Sequence, residues 1–301
     1  MSINLEDSLA TSWPTVRAFT PSSHSDTYNF ISLAHTDLTG KSVLITGASR
    51  GIGKGIALSF ARAGASRIAI VARSGLQVAK AEVIAAAKAA GRAEPQVLCF
   101  ALDVTSEAAV TSDAKTVAAE FDGSLDVLIN NAGVSEGMTP FVETEPKKFL
   151  ETWEVNRKAV YLITHPLLPL ILKSSTRTIL NVSSSAAHHV FPMLNAYQVT
   201  KFALVRFTEI LKFELQDQGL VAISVHPGDV LTDLTAKAAD KFPGLFVDTT
   251  ELAGDTMVWL VREKRDWLGG RFISVTWDME ELERKKVEVV KGNLLKFRMT
   301  L

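Results

Sequence analysis

Tyr197 and Lys201 stand four positions apart in the stretch NAYQVTKFAL, residues 195–204. On a helix that spacing puts a phenol and an ammonium on one face. The two could be neighbours at the rim of a core, each burying its apolar stem. They could also be an acid–base pair in which the ammonium lowers the pKa of the phenol. A free tyrosine titrates near pH ~10, and bringing it close to neutral takes roughly 4 kcal/mol of favourable field. One lysine does not supply that much, so other parts of the chain must contribute.

A second chemical signal is TGASRGIG, with Gly47, Gly51 and Gly53, placed directly after the apolar run SVLIT. Glycines between a strand and a helix let the backbone approach a pyrophosphate, and the helix start offers free N–H groups and a positive dipole end. An ordinary tight strand-to-helix turn would have a similar composition. The spacing is Gly-x-x-x-Gly-x-Gly, unlike the Gly-x-Gly-x-x-Gly form. The next apolar run, RIAIVA, ends in Arg73 and Ser74 with no acidic residue. Together with Arg50 in the turn, this favours a 2′-phosphate, and so NADP(H) over NAD(H).

The elements that would position these groups follow from periodicity. Short apolar runs cover 42–46, 67–72, 96–104, 125–130, 177–182, 221–226 and 271–276, and amphipathic stretches cover 52–63, 76–90, 106–121, 146–164, 197–217 and 250–264. Strands apolar on both faces and separated by helices predict a parallel sheet covered on both sides. The expected class is α/β, a Rossmann-type doubly wound sheet of about seven strands in a single domain. Residues 1–39, rich in Ser, Thr, Pro and His, are expected to form a surface or partly disordered extension. The domain spans 40–276, and 277–301 is expected to be a surface tail or an oligomer contact.

The whole chain narrows the function classes. Its 301 residues carry 32 basic and 33 acidic side chains, which does not suit a polyanion-binding surface and disfavours nucleic acid. Cys99 is the one cysteine, so an intramolecular disulfide and a thiol-rich metal site are excluded. The amino terminus lacks a basic start followed by an apolar run, and YLITHPLLPLILK is too short to span a bilayer and contains Pro166 and Pro169. A soluble, cytoplasmic protein without membrane or metal partners is expected. The sequon Asn181-Val182-Ser183 ends a strand in a chain without an export signal and is not expected to be glycosylated.

With TGASRGIG, NNAG at 130–133, Asn156 in WEVNRKAVYL, NVSSSAAHHVFPMLNAYQVTK at 181–201 and HPGDVLTD at 226–233, the chain resembles the short-chain dehydrogenase/reductase family over about residues 40–276. Its long amino terminus and WLGGRFISVTWDMEEL ending look like fungal members, many of which act in specialised metabolism. The resemblance implies that Tyr197 is the general acid or base. It implies that Ser184, thirteen positions earlier, polarises the carbonyl. Lys201 would lower the tyrosine pKa and bind the nicotinamide ribose, and Asn156 would position a relay water. Oxidised nicotinamide would add positive charge.

For the cofactor, the resemblance implies Gly47, Ser49, Arg50, Gly51, Ile52 and Gly53 of the turn, with Arg73 and Ser74. Asp103 and Val104 would lie beside the adenine, and Asn131, Ala132 and Gly133 under its ribose. Pro227, Gly228, Val230 and Thr232 would orient the carboxamide. Ala187 departs from the glycine of many members. The implied activity is NADP(H)-dependent interconversion of a ketone or aldehyde and an alcohol on a small lipophilic substrate, in a homodimer or homotetramer. A non-redox isomerase, dehydratase or cyclase and a silent cofactor-binding module are the alternatives.

Three further features are open at this level. His188 and His189 could be a polar pocket wall or a satisfied surface pair, while His226 is expected to be structural. Residues 229–248 could form a lid, with Leu231, Leu234, Phe242, Leu245 and Phe246 apolar. Met138, Pro140 and Phe141 are expected to face the same cleft.

Overall fold

Val43, Leu44 and Ile45 are all buried in strand β1, Ser42–Thr46, although successive side chains of a strand point to opposite faces. Both faces of the sheet are therefore covered. The computed structural model describes residues 18–299; the part of the expected extension before residue 18, including the amino-terminal stretch read for export, and the last two residues of the expected tail lie outside the described residues.

The other strands are β2 (Arg67–Ala72), β3 (Gln96–Ala101), β4 (Val127–Asn130), β5 (Thr178–Val182), β6 (Val221–His226) and β7 (Phe272–Ser274). They form one seven-stranded sheet in the order β3-β2-β1-β4-β5-β6-β7, and every pairing is parallel. The doubly wound expectation holds. The order reverses between β1 and β4, which opens a crevice at their carboxyl ends.

Helices α1 (Gly51–Arg62), α2 (Leu76–Ala89), α3 (Glu107–Glu120), α6 (Asn195–Leu215) and α7 (Thr250–Arg262) fall close to the predicted stretches. Some boundaries differ. Strand β3 stops at Ala101, short of 104, because Asp103 turns the chain by accepting from the N–H and hydroxyl of Thr105 at 2.9 and 2.8 Å. The helix expected over 146–164 is instead α4 (Pro146–Trp153), a π-helical turn (Glu154–Lys158) and α5 (Ala159–Lys173). Helix α5 runs through Pro166 and Pro169, which lack the N–H that an interior helical residue donates.

The described parts of the two terminal segments, expected to be a surface or partly disordered extension and a surface tail or oligomer contact, bond to each other. Ser23 pairs antiparallel with Trp277, and the His24 N–H donates to the Thr276 carbonyl at 2.8 Å. The His24 imidazole meets Asp278 at 2.8 Å, and the Tyr28 hydroxyl accepts from the Met279 N–H at 2.7 Å. Trp277, Met279 and Leu282 are buried in the main core with Trp259 and Phe272. Further on, the Phe272 N–H donates to the Leu295 carbonyl at 2.9 Å, so the tail covers the β7 edge of the sheet.

Candidate active site

The glycine turn lies at the carboxyl end of β1, on one side of the crevice. Gly47 and Gly51 have φ of +68° and +53°, which other residues adopt at a cost. Gly53 is forced by space: a Cβ there would lie 2.3 Å from the Gly47 carbonyl oxygen and 2.4 Å from the Asn131 amide nitrogen. Helix α1 begins after Arg50, whose side chain makes no capping bond to it. Its first-turn N–H groups are thus arranged as a helix-terminus anion site is, and the close-packed glycines leave the backbone bare. The turn fits a dinucleotide.

Asn131, Ala132 and Gly133, after β4, link this turn to the chemistry. The Asn131 amide donates to the Thr46 carbonyl at 2.9 Å, and the N–H groups of Asn131 and Ala132 both donate to the Thr46 hydroxyl at 3.0 Å. At the other end of the segment, a Cβ on Gly133 would lie 3.4 Å from the Asn156 Oδ1 and 3.6 Å from the Lys201 Nζ. The segment therefore runs from the phosphate turn to the lysine.

Helix α6 carries Tyr197 and Lys201. Lys201 is buried; its Nζ donates to the Val182 carbonyl at 2.8 Å and lies 5.6 Å from the centre of the Tyr197 ring. Burial pushes the ammonium down to about 8. The Ser184 side chain is close enough to the Tyr197 phenol to act on its titration. Burial raises the phenol, Ser184 opposes that rise, and the charges of Asp229 and Glu136 add to it. The chain's own groups hold the tyrosine protonated, so the lowering implied by the resemblance does not come from Lys201 alone.

Ser184 sits just past β5 as the cap of a short 3-10 turn, accepting from the Ala186 N–H at 3.1 Å. The Ser185 N–H next to it donates to the His226 Nδ1 at 3.1 Å, and the His226 Nε2 faces Asp229 at 3.9 Å. An accepting Nδ1 places the imidazole proton on Nε2, toward that carboxylate. His226 is structural, as expected, and it braces the serine turn.

Asn156 lies in the π-helical turn and is buried. Its Oδ1 accepts from the Val134 N–H at 2.9 Å, while its Nδ2 donates to the Val134 carbonyl at 2.9 Å and the Thr200 hydroxyl at 3.1 Å. A π-bulge at a functional site is a common device. Here it turns one side chain toward both the loop after β4 and helix α6.

The other candidates are distributed around the crevice. Arg73 and Ser74 are exposed at the end of β2, and Arg50 is ion-paired with Asp233. The Asp103 carboxyl is held below its ordinary range, first by the Thr105 N–H and hydroxyl and, more weakly, by Arg73; Val104 follows it in the same turn. Ser49 packs beside Gly75, and Ile52 joins the rim of the core at the head of α1. Past β6, Gly228 has φ +84° and the Asp229 N–H donates to the Asp248 carboxylate at 2.6 Å. Val230 is bridged to Asp248, and the Thr232 Cγ2 lies 3.3 Å from where a Gly51 Cβ would stand. The stretch containing Pro227 therefore reaches back to the glycine turn.

His188 is neither a pocket wall nor a surface group. Its ring meets Phe272 at 4.1 Å and Phe297 at 4.4 Å, and burial pushes it down to about 4. His189 is buried as well. The sequence reading missed Glu136, a buried carboxylate that meets the start of α6. A single acid in a polar loop has no periodicity or motif to mark it.

A family profile described as "short chain dehydrogenase" matches residues 41–242. A short chain dehydrogenase of Monascus purpureus is 44% identical over 92% of this chain and 95% of the relative. One of Emericella variicolor is 42% identical over 93% and 96%. Among solved structures, a short-chain type dehydrogenase/reductase of Mycobacterium marinum aligns with a TM-score of 0.70 at 27% identity, covering 81% of this chain and 97% of that one. A 3-ketoacyl-(acyl-carrier-protein) reductase of Brucella melitensis, solved with NADH, aligns at 0.69 and 28% identity, covering 79% and 98%.

Proposed function

The chain belongs to the short-chain dehydrogenase family, and from that premise we propose that it is an NADP(H)-dependent reductase of a small lipophilic ketone or aldehyde, able to run in reverse on the alcohol. The observation that carries this reading is the buried Lys201, with its Nζ 5.6 Å from the centre of the Tyr197 ring, and Ser184 acting on the same phenol from the turn after β5. This group sits at the crevice where the sheet order reverses.

In the direction of reduction, charge develops on the carbonyl oxygen as the new C–H bond forms. Ser184 holds that oxygen by a hydrogen bond, and Tyr197 delivers the proton. When bound, the nicotinamide would supply the hydride. Lys201 binds the ribose and carries the balancing charge. Asn156 keeps the loop after β4 and helix α6 in register through Val134 and Thr200, and we assign it the relay water as well. The turn from Gly47 to Gly53 holds the pyrophosphate, Asn131 to Gly133 and Asp103 with Val104 flank the adenosine, and Pro227 to Thr232 border the carboxamide.

The preference for NADP(H) rests on Arg73, exposed at the end of β2 where an acid would select the free ribose hydroxyl. Arg50, tied to Asp233, has the weaker claim. A lipophilic substrate is supported by Phe141, Val142, Val190 and Leu231, all exposed on the loops after β4, β5 and β6. The relatives reported above are fungal short chain dehydrogenases, and we assign this chain a role in specialised metabolism. The test is a titration of NADPH and NADH against wild type and Arg73→Ala, followed by ketone-dependent NADPH oxidation. NADPH is expected to bind more tightly, with about a tenfold loss in the variant and little change for NADH. Equal affinities in wild type would remove the cofactor assignment.

A further inference from the structure

Helix α6 starts without a local cap: Leu194 precedes it and contributes no side-chain bond to its first turn. The carboxylate of Glu136, in the loop after β4, stands there instead. It is buried, and its oxygens accept from the Ala196 N–H at 2.7 Å and from the Tyr197 N–H at 3.1 and 3.4 Å. The same loop holds the approach to the helix at a second point, where the Thr139 N–H donates to the carbonyl of Met193 at 3.0 Å. Met193 has φ +72°, a conformation that needs such support. Two residues before Glu136, Val134 is clamped by Asn156.

We propose that Glu136 is a positioning residue for the Tyr197 chemistry: its carboxylate replaces the missing N-cap across the cleft and fixes a negative charge beside the phenol. The backbone bonds set where the tyrosine begins its helix. The charge favours the protonated phenol, the form that donates to a carbonyl oxygen. The groups acting on that phenol come from several elements: Lys201 on its own helix, Ser184 after β5, Asp229 after β6 and Glu136 after β4; His226 and His189 bear on Asp229 in turn. Within that set Glu136 is the one whose side chain also bonds the tyrosine's own backbone N–H.

The kinetic side of this inference rests on the reductase reading, so the deciding measurement does not use turnover. The chain has three tyrosines, which allows each ring to be followed by NMR after labelling at Cζ, with Tyr197→Phe identifying the relevant signal. In Glu136→Gln the backbone acceptor remains and the charge is gone. Tyr197 is then expected to titrate lower than in wild type by at least about 0.5 pH, with Ala196 and Tyr197 amides still protected from exchange. In Glu136→Ala the cap is lost too, and those amides should exchange at least about tenfold faster. The basic limb of kcat/KM should move down with the phenol in Glu136→Gln. The same Tyr197 midpoint in wild type and Glu136→Gln, or no titration up to pH ~11 in either, overturns the charge role. Unchanged exchange in Glu136→Ala overturns the cap. Failure of ketone reduction with the predicted titration shift would count against the proposed function alone.

Discussion

Lys201 gives the site a pH signature that can be read without a substrate. Its ammonium is held down to about 8 by burial, against an ordinary value of 10.5. Between those values the unfolded chain binds more protons at this group than the folded one, so its contribution to stability rises with pH across that window. Below about 8 both states are charged, and the burial cost, ~3 kcal/mol, is fully present. Tyr197 acts in the opposite sense, because a raised phenol loses stability as pH climbs past its unfolded value. Denaturant midpoints measured from pH ~7 to ~10 should therefore rise more steeply in wild type than in Lys201→Met. Parallel profiles would mean that the lysine is not buried as described. Tyr197, Lys201 and Ser184 could be singled out in the sequence because the chemistry proposed for them requires particular residue types at set intervals. Glu136 was not, since its partners are backbone N–H groups sixty residues away and no spacing encodes them.

At the level of elements, strands read well and helix interruptions did not. The apolar runs at 42–46, 67–72 and 221–226 are the strands β1, β2 and β6 as they stand, because strands buried on both faces leave a local trace in composition. The π-helical turn at Glu154–Lys158 leaves none: one extra residue per turn shifts the apolar period too little to be seen in a window of this length. Its effect is to deliver Asn156 to Val134 and Thr200. Asn156→Ala removes three hydrogen bonds from a buried site and should cost about 2–4 kcal/mol of stability. Nucleotide affinity should change little while kcat falls, since the glycine turn is held separately by Asn131. A loss confined to nucleotide binding would show that the turn serves the cofactor rather than the loop and helix. Helix α5 also continues past Pro166 and Pro169 to Lys173, where tertiary packing of Ile163, Leu167 and Ile171 in the core outweighs the missing backbone bonds.

Across the whole molecule, the two ends of the described chain close on each other. Ser23 with Trp277 and His24 with Asp278 are separated by more than 250 residues, so no local pattern marks their contact. Trp277 packs between Phe19 and Phe272, with ring centres 5.0 and 6.4 Å away. Trp277→Ala should lower unfolding free energy by about 3–5 kcal/mol through the cavity it leaves, measurable by chemical denaturation, with nucleotide affinity nearly unchanged. A change below 1 kcal/mol would place this junction outside the cooperative core. Helices α4, α5 and α6 also present Leu150, Tyr161, Val199, Phe202 and Phe213 to solvent. We expect that face to join subunits, so sedimentation should give a dimer or tetramer and Phe213→Glu should shift it toward monomer.

Absorbance at 340 nm, followed while NADPH and a panel of lipophilic ketones are mixed with wild type or Tyr197→Phe, tests the central claim most directly. The account predicts ketone-dependent NADPH oxidation by wild type and a fall of about 10²–10⁴-fold in kcat for the variant, with NADPH still bound by both. Oxidation at an undiminished rate in Tyr197→Phe would contradict the role assigned to the phenol. Failure of wild type to bind either nucleotide would contradict the dinucleotide reading of the glycine turn on which that role depends.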